Sequence, residues 1–260
     1  MTPLLLVKDC GIQFGGLRAL NHFSMSLAVG ELAGIIGPNG AGKTTFFNLL
    51  TGVYQPTEGE LILCNDEEHH LAGLKSYQIN RIGVARTFQN IRLFSDLTVE
   101  DNVLIGFHHR LKTSLAGTIL KTAYSRSESK DIVRAGEELL HIFGLDSVRG
   151  ELAKNLSYGD QRRLEIVRAL ATKPRLLLLD EPAAGMNATE KKHLIELIQW
   201  VHQHFGLAIL LIEHDMSVVM NLCPRIIVLD YGEIIADGTP DEIRKNPKVI
   251  EAYLGTMVDS

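Results

Sequence analysis

Apolar positions along this 260-residue chain follow two rhythms, and each predicts a different kind of element. From Phe23 to Val29 they alternate, with Phe23, Met25, Leu27 and Val29 on one face, which predicts a strand with one buried side. Leu4 to Lys8, Leu32 to Ile36, Glu60 to Leu63, Leu176 to Leu179 and Ala208 to Ile212 read as shorter strands. The unbroken apolar ones suit a sheet covered on both faces. Ile226 to Leu229 and Ile234 to Ala236, joined at Tyr231-Gly232, predict a hairpin. Helical spacing appears over Lys43 to Leu50, closed by Gly52, and from a Thr98-Val99-Glu100-Asp101 capping box to about Phe107. It returns over Asp131 to Phe143 before Gly144, from a Ser157 cap to Ala171, and over Thr189 to Phe205 before Gly206. Residues 96–160 therefore predict a helical lobe with an exposed Ser-, Thr- and Lys-rich excursion over 110–130. Residues 1–95 and 161–260 predict an α/β core with a parallel sheet under helices.

Composition narrows the class. With 45% hydrophobic and 22% charged residues, the chain is globular rather than disordered, collagenous or a coiled-coil rod. Twenty-six basic against 31 acidic residues give a net charge of -5, which disfavours nucleic acid as a partner. The longest apolar stretches, such as Leu207 to Ile212, fall short of the roughly 18 residues a bilayer span needs. The N-terminus lacks the basic-then-apolar order of a secretory signal. Cys10, Cys64 and Cys223 are scattered without metal-ligand spacing and read as buried small hydrophobes in a reducing cytosol. The pairs His69-His70 and His108-His109 lack an accompanying ligand set and read as solvated surface, while His202 and His204 lie two apart on a predicted helix, on different sides.

Two stretches carry chemistry. Gly37-Pro38-Asn39-Gly40-Ala41-Gly42-Lys43-Thr44 matches G-x-x-x-x-G-K-[ST] in full, between an apolar run and a helix. Glycines let backbone N–H groups turn toward phosphate oxygens, and the following helix aims its positive end at the same anion. Lys43 would neutralise the β- and γ-phosphates, and the Thr44 hydroxyl would ligate Mg2+. The second stretch, Leu176 to Leu179 followed by Asp180-Glu181-Pro182, puts two carboxylates at the C-terminal end of a buried strand, where open α/β sheets bind ligands. There Asp180 would hold Mg2+ and Glu181 would polarise an attacking water.

With those two in place, Leu156-Ser157-Tyr158-Gly159-Asp160-Gln161 resembles the LSGGQ signature of ABC transporter nucleotide-binding subunits. Tyr158 replaces the first glycine and Asp160 the glutamine. The resemblance covers essentially the whole chain. It implies a single cassette over 1–260: a RecA-like P-loop core with an antiparallel β layer over 1–95 and 161–260, and a helical subdomain with the signature over 96–160. It implies ATP and Mg2+ as ligands, held by Gly37, Asn39, Gly40, Ala41, Gly42, Lys43, Thr44 and Thr45, with Phe14 stacking on adenine. Thr44, Asp180 and the Q-loop Gln89 would serve the metal, and Glu181, His214 and Lys43 the chemistry. Ser157 and Gly159 would close over the γ-phosphate bound by a second cassette, identical or paralogous. Asn187 stands where the family carries aspartate, keeping a hydrogen-bonding amide without charge.

Wider wording is similar to the branched-chain amino acid uptake group: Arg162-Arg163-Leu164-Glu165-Ile166, Pro182 to Asn187, Leu211 to Met216, and the tail from Gly238-Thr239-Pro240 to Ala252-Tyr253-Leu254-Gly255. That group implies two transmembrane permease subunits, a periplasmic substrate-binding protein, no nucleic acid, and a peripheral seat on the cytoplasmic face of the inner membrane. A lipopolysaccharide-exporting ATPase shares much of the tail and stays open as an alternative. So does a soluble, non-transport ABC ATPase.

Overall fold

A computed structural model describes residues 3–107 and 123–258, with side chains from 130 onward in the second stretch and up to 253. His108-His109 and most of the expected excursion lie outside the described residues. The chain forms two compact units, Met1–Gln89 with Arg175–Ser260, and Asn90–Pro174. The second is wider at both ends than the 96–160 stretch drawn from patterning.

The first unit holds two sheets. Strands β1 (Pro3–Phe14), β2 (Leu17–Ala28), β4 (Glu58–Cys64) and β5 (Glu68–His70) form an antiparallel sheet in the order β2-β1-β4-β5. The alternation in β2 buries Phe23, Met25 and Leu27. Val29 does not join that face: it is 66% exposed, because the strand ends at Ala28 and the chain turns through Gly30 at φ +67. His69 and His70 stand on a strand, one half-buried and one exposed.

The second sheet runs β10-β9-β3-β8-β7-β6, with β3 (Leu32–Ile36), β6 (Val84–Arg86), β7 (Leu176–Asp180), β8 (Ala208–Ile212) and β9 (Arg225–Asp230) parallel. β10 (Glu233–Gly238) returns antiparallel beside β9, as the expected hairpin. Strands β3, β7 and β8 are buried at every position, the mark of a sheet covered on both faces. Helix α1 (Lys43–Leu50) has only eight residues, too few to be stable alone. It is held by packing. Phe46, Phe47, Leu49 and Leu50 are buried in one cluster with residues of both sheets, and the Phe46 ring meets Phe23 at 4.5 Å. Each buried Phe contributes about 1.5–3 kcal/mol over leaving it in water.

Four further elements complete this unit beyond α2 (Ser76–Arg81). They are α6 (Ala188–Phe205), α7 (Met216–Leu222), α8 (Pro240–Lys245) and α9 (Pro247–Val258). Asn187 caps α6 in a capping box with Glu190, and Gly206 ends it at φ +58. His202 and His204 each make a contact of their own. His202 Nε2 lies 2.7 Å from the Gly30 carbonyl, and the His204 ring stacks on Trp200 at 3.9 Å.

The second unit contains α3 (Val99–Phe107), α4 (Ala123–Ile142) and α5 (Tyr158–Ala171). Thr98 caps α3 as its sequence predicts, its hydroxyl accepting from the Asp101 N–H at 3.0 Å. Helix α4 starts eight residues before the predicted Asp131, so 123–130 is helix rather than open excursion. Among the described residues, no helix is long and apolar enough to cross a membrane.

Candidate functional site

Strand β3 runs straight into the glycine loop and the loop into α1. A Cβ on Gly37, at φ +149, would overlap the Leu229 carbonyl oxygen, and one on Gly42, at φ +105, would stand 2.6 Å from that of Ala19. Both positions therefore require glycine by space and by dihedral. A Cβ on Gly40 would meet nothing within 4 Å, so the crown of the loop opens outward, with Asn39, Gly40 and Thr44 exposed. Ala41 and Lys43 are buried, and Thr45 is half-buried. Lys43 Nζ donates to the Gly37 and Pro38 carbonyls at 2.7 and 2.8 Å. Burial pushes its pKa below the usual lysine value, while the carboxylates of Glu181 and Asp180 pull it back up.

Those carboxylates end β7. Asp180 is buried against Arg86, whose Nη2 donates to Oδ2 at 2.6 Å. Glu181 sits at φ +46, a left-handed conformation that costs a non-glycine residue about 1–3 kcal/mol and concentrates at functional sites. Its N–H is held by the Ile212 carbonyl at 2.9 Å, tying it to the end of β8. Two other predicted residues converge on Glu181 Oε2: Gln89 Nε2 donates at 2.8 Å, and His214 Nδ1 stands at 3.5 Å. Phe14 is no core residue. It is 42% exposed, with its ring edge-on to Tyr54 at 5.0 Å.

Ser157 and Gly159 lie in the second unit, at the N-terminus of α5. Ser157 Oγ accepts from the Asp160 N–H at 3.2 Å and donates to Asp160 Oδ2 at 2.7 Å. Asp160 also pairs with Arg163. The substituted aspartate thus closes a local capping ring that the glutamine of the signature would not charge. A Cβ on Gly159 would meet nothing within 4 Å, so the helix end beside Ser157 is open.

Three supporting residues escaped the sequence reading. Arg86 is one. Glu213, fully buried, accepts from the N–H groups of Ala183, His214 and Asp215 at 2.7, 3.2 and 3.4 Å, and burial raises its pKa. It fixes the segments following Glu181 and carrying His214. Burial raises the pKa of Tyr253, on α9, and the nearby Gly37 backbone draws it partly back. The long-range partnerships, Arg86 with Asp180 and Glu213 with Ala183, join positions too far apart in the chain for adjacent letters to announce them.

The residues fit a phosphate chain with Mg2+. Thr44, Gln89 and Asp180 offer hard oxygen ligands, the kind Mg2+ takes. Among the described residues, no group of three His, Cys, Asp or Glu forms a metal cage. A metal here would therefore complete its shell with phosphate oxygens and water, as Mg2+ habitually does.

A glycine loop cradling a buried lysine, beside paired carboxylates at a strand end of a mostly parallel sheet, defines a P-loop nucleotide-binding protein. Residues 20–184 match the ABC transporter family model, and residues 233–259 match that of the branched-chain amino acid ATP-binding cassette transporter. The chain is 52% identical over 254 residues to the high-affinity branched-chain amino acid transport ATP-binding protein LivG of Salmonella typhimurium, covering 97% of this chain and 98% of that one. It is 44% identical over 253 residues to the corresponding protein BraF of Pseudomonas aeruginosa, with the same coverage. Its fold follows the ADP conformation of MJ1267, an ATP-binding cassette of an ABC transporter, with a TM-score of 0.83 and 28% identity over 98% of this chain and 100% of that one. The chain belongs to the ABC transporter family, as one of its nucleotide-binding ATPases.

Proposed function

We propose that this chain is the ATP-hydrolysing subunit of an importer for branched-chain or related neutral amino acids. The observation that carries the reading is identity to LivG of 52% along 97% of the chain, joined by the match of residues 233–259 to the branched-chain amino acid cassette family model. That breadth favours uptake over lipopolysaccharide export or a non-transport role.

In this reading Lys43 and the loop amides bind the β- and γ-phosphates, and Phe14 stacks on adenine. Thr44, Asp180 and Gln89 hold Mg2+, which when bound offsets the negative charge of the phosphates. Glu181 accepts a proton-side hydrogen bond from the attacking water and orients it, and His214 contacts the γ-phosphate. Gln89 donates to the same Glu181 oxygen, so any displacement of the Gln89 segment changes what Glu181 can orient. Two cassettes pair head to tail, Ser157 and Gly159 of each closing over the other's nucleotide. The pair drives two permease subunits at the cytoplasmic face of the inner membrane, fed by a periplasmic substrate-binding protein.

The test is purification of the tagged chain from detergent-solubilised membranes, then leucine uptake by the isolated complex in vesicles. Co-purification of a multispan permease and ATP-dependent leucine accumulation is the expected result. Recovery only in soluble complexes with ribosomal or repair proteins, or a permease partner that moves lipid, overturns it.

A further inference from the structure

Arg86 lies three residues before Gln89, yet its side chain belongs to the nucleotide site. Its side chain and that of Asp180 are each only 4% exposed, and Nη2 meets Asp180 Oδ2 at 2.6 Å. The other arm reaches α1: Nη1 donates to Asn48 Oδ1 at 2.8 Å and to Thr51 Oγ1 at 3.3 Å. The guanidinium faces the rings of Phe47, at 5.5 Å, and Phe88, at 4.9 Å. Arg86 Nε is buried without an acceptor among the described residues, so the group is held for its η nitrogens and its flat faces. Only arginine combines a fork, a permanent charge and a face that stacks on aromatics.

We propose that Arg86 is a positioning residue for the metal-binding carboxylate, fixing Asp180 and tying it to the phosphate-loop helix and to the Gln89 segment. The inference rests on the metal role proposed above for Asp180. The physical argument is one of preorganisation. A buried carboxylate left without its partner is costly and seeks another cation, and Lys43 is one that already feels the charge of Asp180. Arg86 satisfies Oδ2 from the side of α1, so Asp180 keeps its place without drawing on the lysine that the phosphates need. Because the same guanidinium touches α1 and stacks on Phe88, a shift of the Gln89 segment reaches Asp180 through one rigid group.

The test uses Mn2+ in place of Mg2+, followed by electron paramagnetic resonance. Mn2+ is titrated into the full chain carrying one equivalent of a non-hydrolysable ATP analogue, with the analogue alone as baseline. Arg86→Met is expected to lower the Mn2+ affinity that the protein adds by at least fivefold, while analogue binding in EDTA changes by less than twofold. Arg86→Lys keeps a charge but loses the fork, and is expected to fall between wild type and Arg86→Met. Asp180→Asn separates the two readings. If it leaves Mn2+ affinity unchanged, the metal role of Asp180 fails and the inference with it. If it lowers affinity while both Arg86 variants bind Mn2+ as wild type does, or more tightly, the positioning role alone is overturned. Should Arg86→Met not fold, Arg86→Lys decides: wild-type Mn2+ affinity in it overturns the inference, and a loss with EDTA binding intact supports it.

Discussion

Glu213→Gln tests whether one buried carboxylate holds the catalytic end of the sheet together. In the native protein, one oxygen accepts from the Ala183 N–H at 2.7 Å and the other from His214 and Asp215 at 3.2 and 3.4 Å. Glutamine keeps the shape but offers a single acceptor oxygen. At best it retains the two bonds on the His214 side and turns its own NH2 toward the Ala183 N–H. One buried donor is then unpaired, which costs about 1–3 kcal/mol. At about 2–4 °C per kcal/mol for a chain of this size, the midpoint should drop by roughly 2–12 °C. The pH dependence has a definite sign. Burial, the largest influence on Glu213, raises its folded pKa above the ordinary 4.5. Its stabilising contribution is therefore full below 4.5 and is lost as pH rises through the higher folded value. Glutamine does not titrate, so the stability gap between wild type and Glu213→Gln should narrow as pH rises above 4.5. Scanning calorimetry of the nucleotide-free proteins from pH 5 to 8 measures both quantities. Equal midpoints across that range, or a gap that widens with pH, would refute the reasoning.

Other changes probe the rest of the site. Glu181→Gln should bind ATP with wild-type affinity but hydrolyse it at least 100-fold more slowly, in line with the loss of a general base; unchanged turnover removes Glu181 from the chemistry. Lys43→Ala should abolish nucleotide binding by equilibrium dialysis, since Lys43 is the one lysine of the phosphate loop, and retained affinity would sink that assignment. Asn187→Ala removes the cap of α6 and should cost about 1 kcal/mol in urea unfolding, with Asn187→Asp close to neutral. Tyr253→Phe deletes a buried hydroxyl that the Gly37 backbone acts on, and should change stability by no more than about 1.5 kcal/mol. It should also weaken ATP binding; a stability loss with affinity untouched would confine Tyr253 to packing.

Most of the framework could be read from the chain because its signals are local. Strand β3, helix α1 and strand β8 have the predicted ends, since each is an apolar run or a helical stripe bounded by glycine or a polar turn. What escaped was short or held by distant partners. β6 has three residues, too few to show a period, and is a strand because β7 pairs with it. The second half of β1, through polar Gln13, is extended because β2 lies beside it. One miss had a local signal: Asn187 and Glu190 have capping-box spacing, and the predicted helix began two residues beyond the cap.

The site divides along the same line. The residues proposed to touch a phosphate chain, Gly37 to Thr44 and Asp180-Glu181, stand out by type and position because backbone geometry and charge would fix them at set spacings. Residues that hold those groups answer only to local packing, and any side chain of the right shape at the right distance suffices. Arg86 reaches across 94 positions to Asp180, and Glu213 reaches back 30 to Ala183. Neither distance is encoded in a spacing. The signature shows both behaviours at once. Ser157 keeps the family's hydroxyl at a helix N-terminus, while Asp160, where the family has glutamine, takes that hydroxyl's proton-side bond and pairs with Arg163. For Ser157 to donate to a phosphate, its Oγ–H must leave Asp160, and a carboxylate releases a donor less readily than a neutral amide does. In the proposed pairing of cassettes, the departure would therefore act on the energetics of closure while leaving the Ser157 hydroxyl and the open end at Gly159 in place.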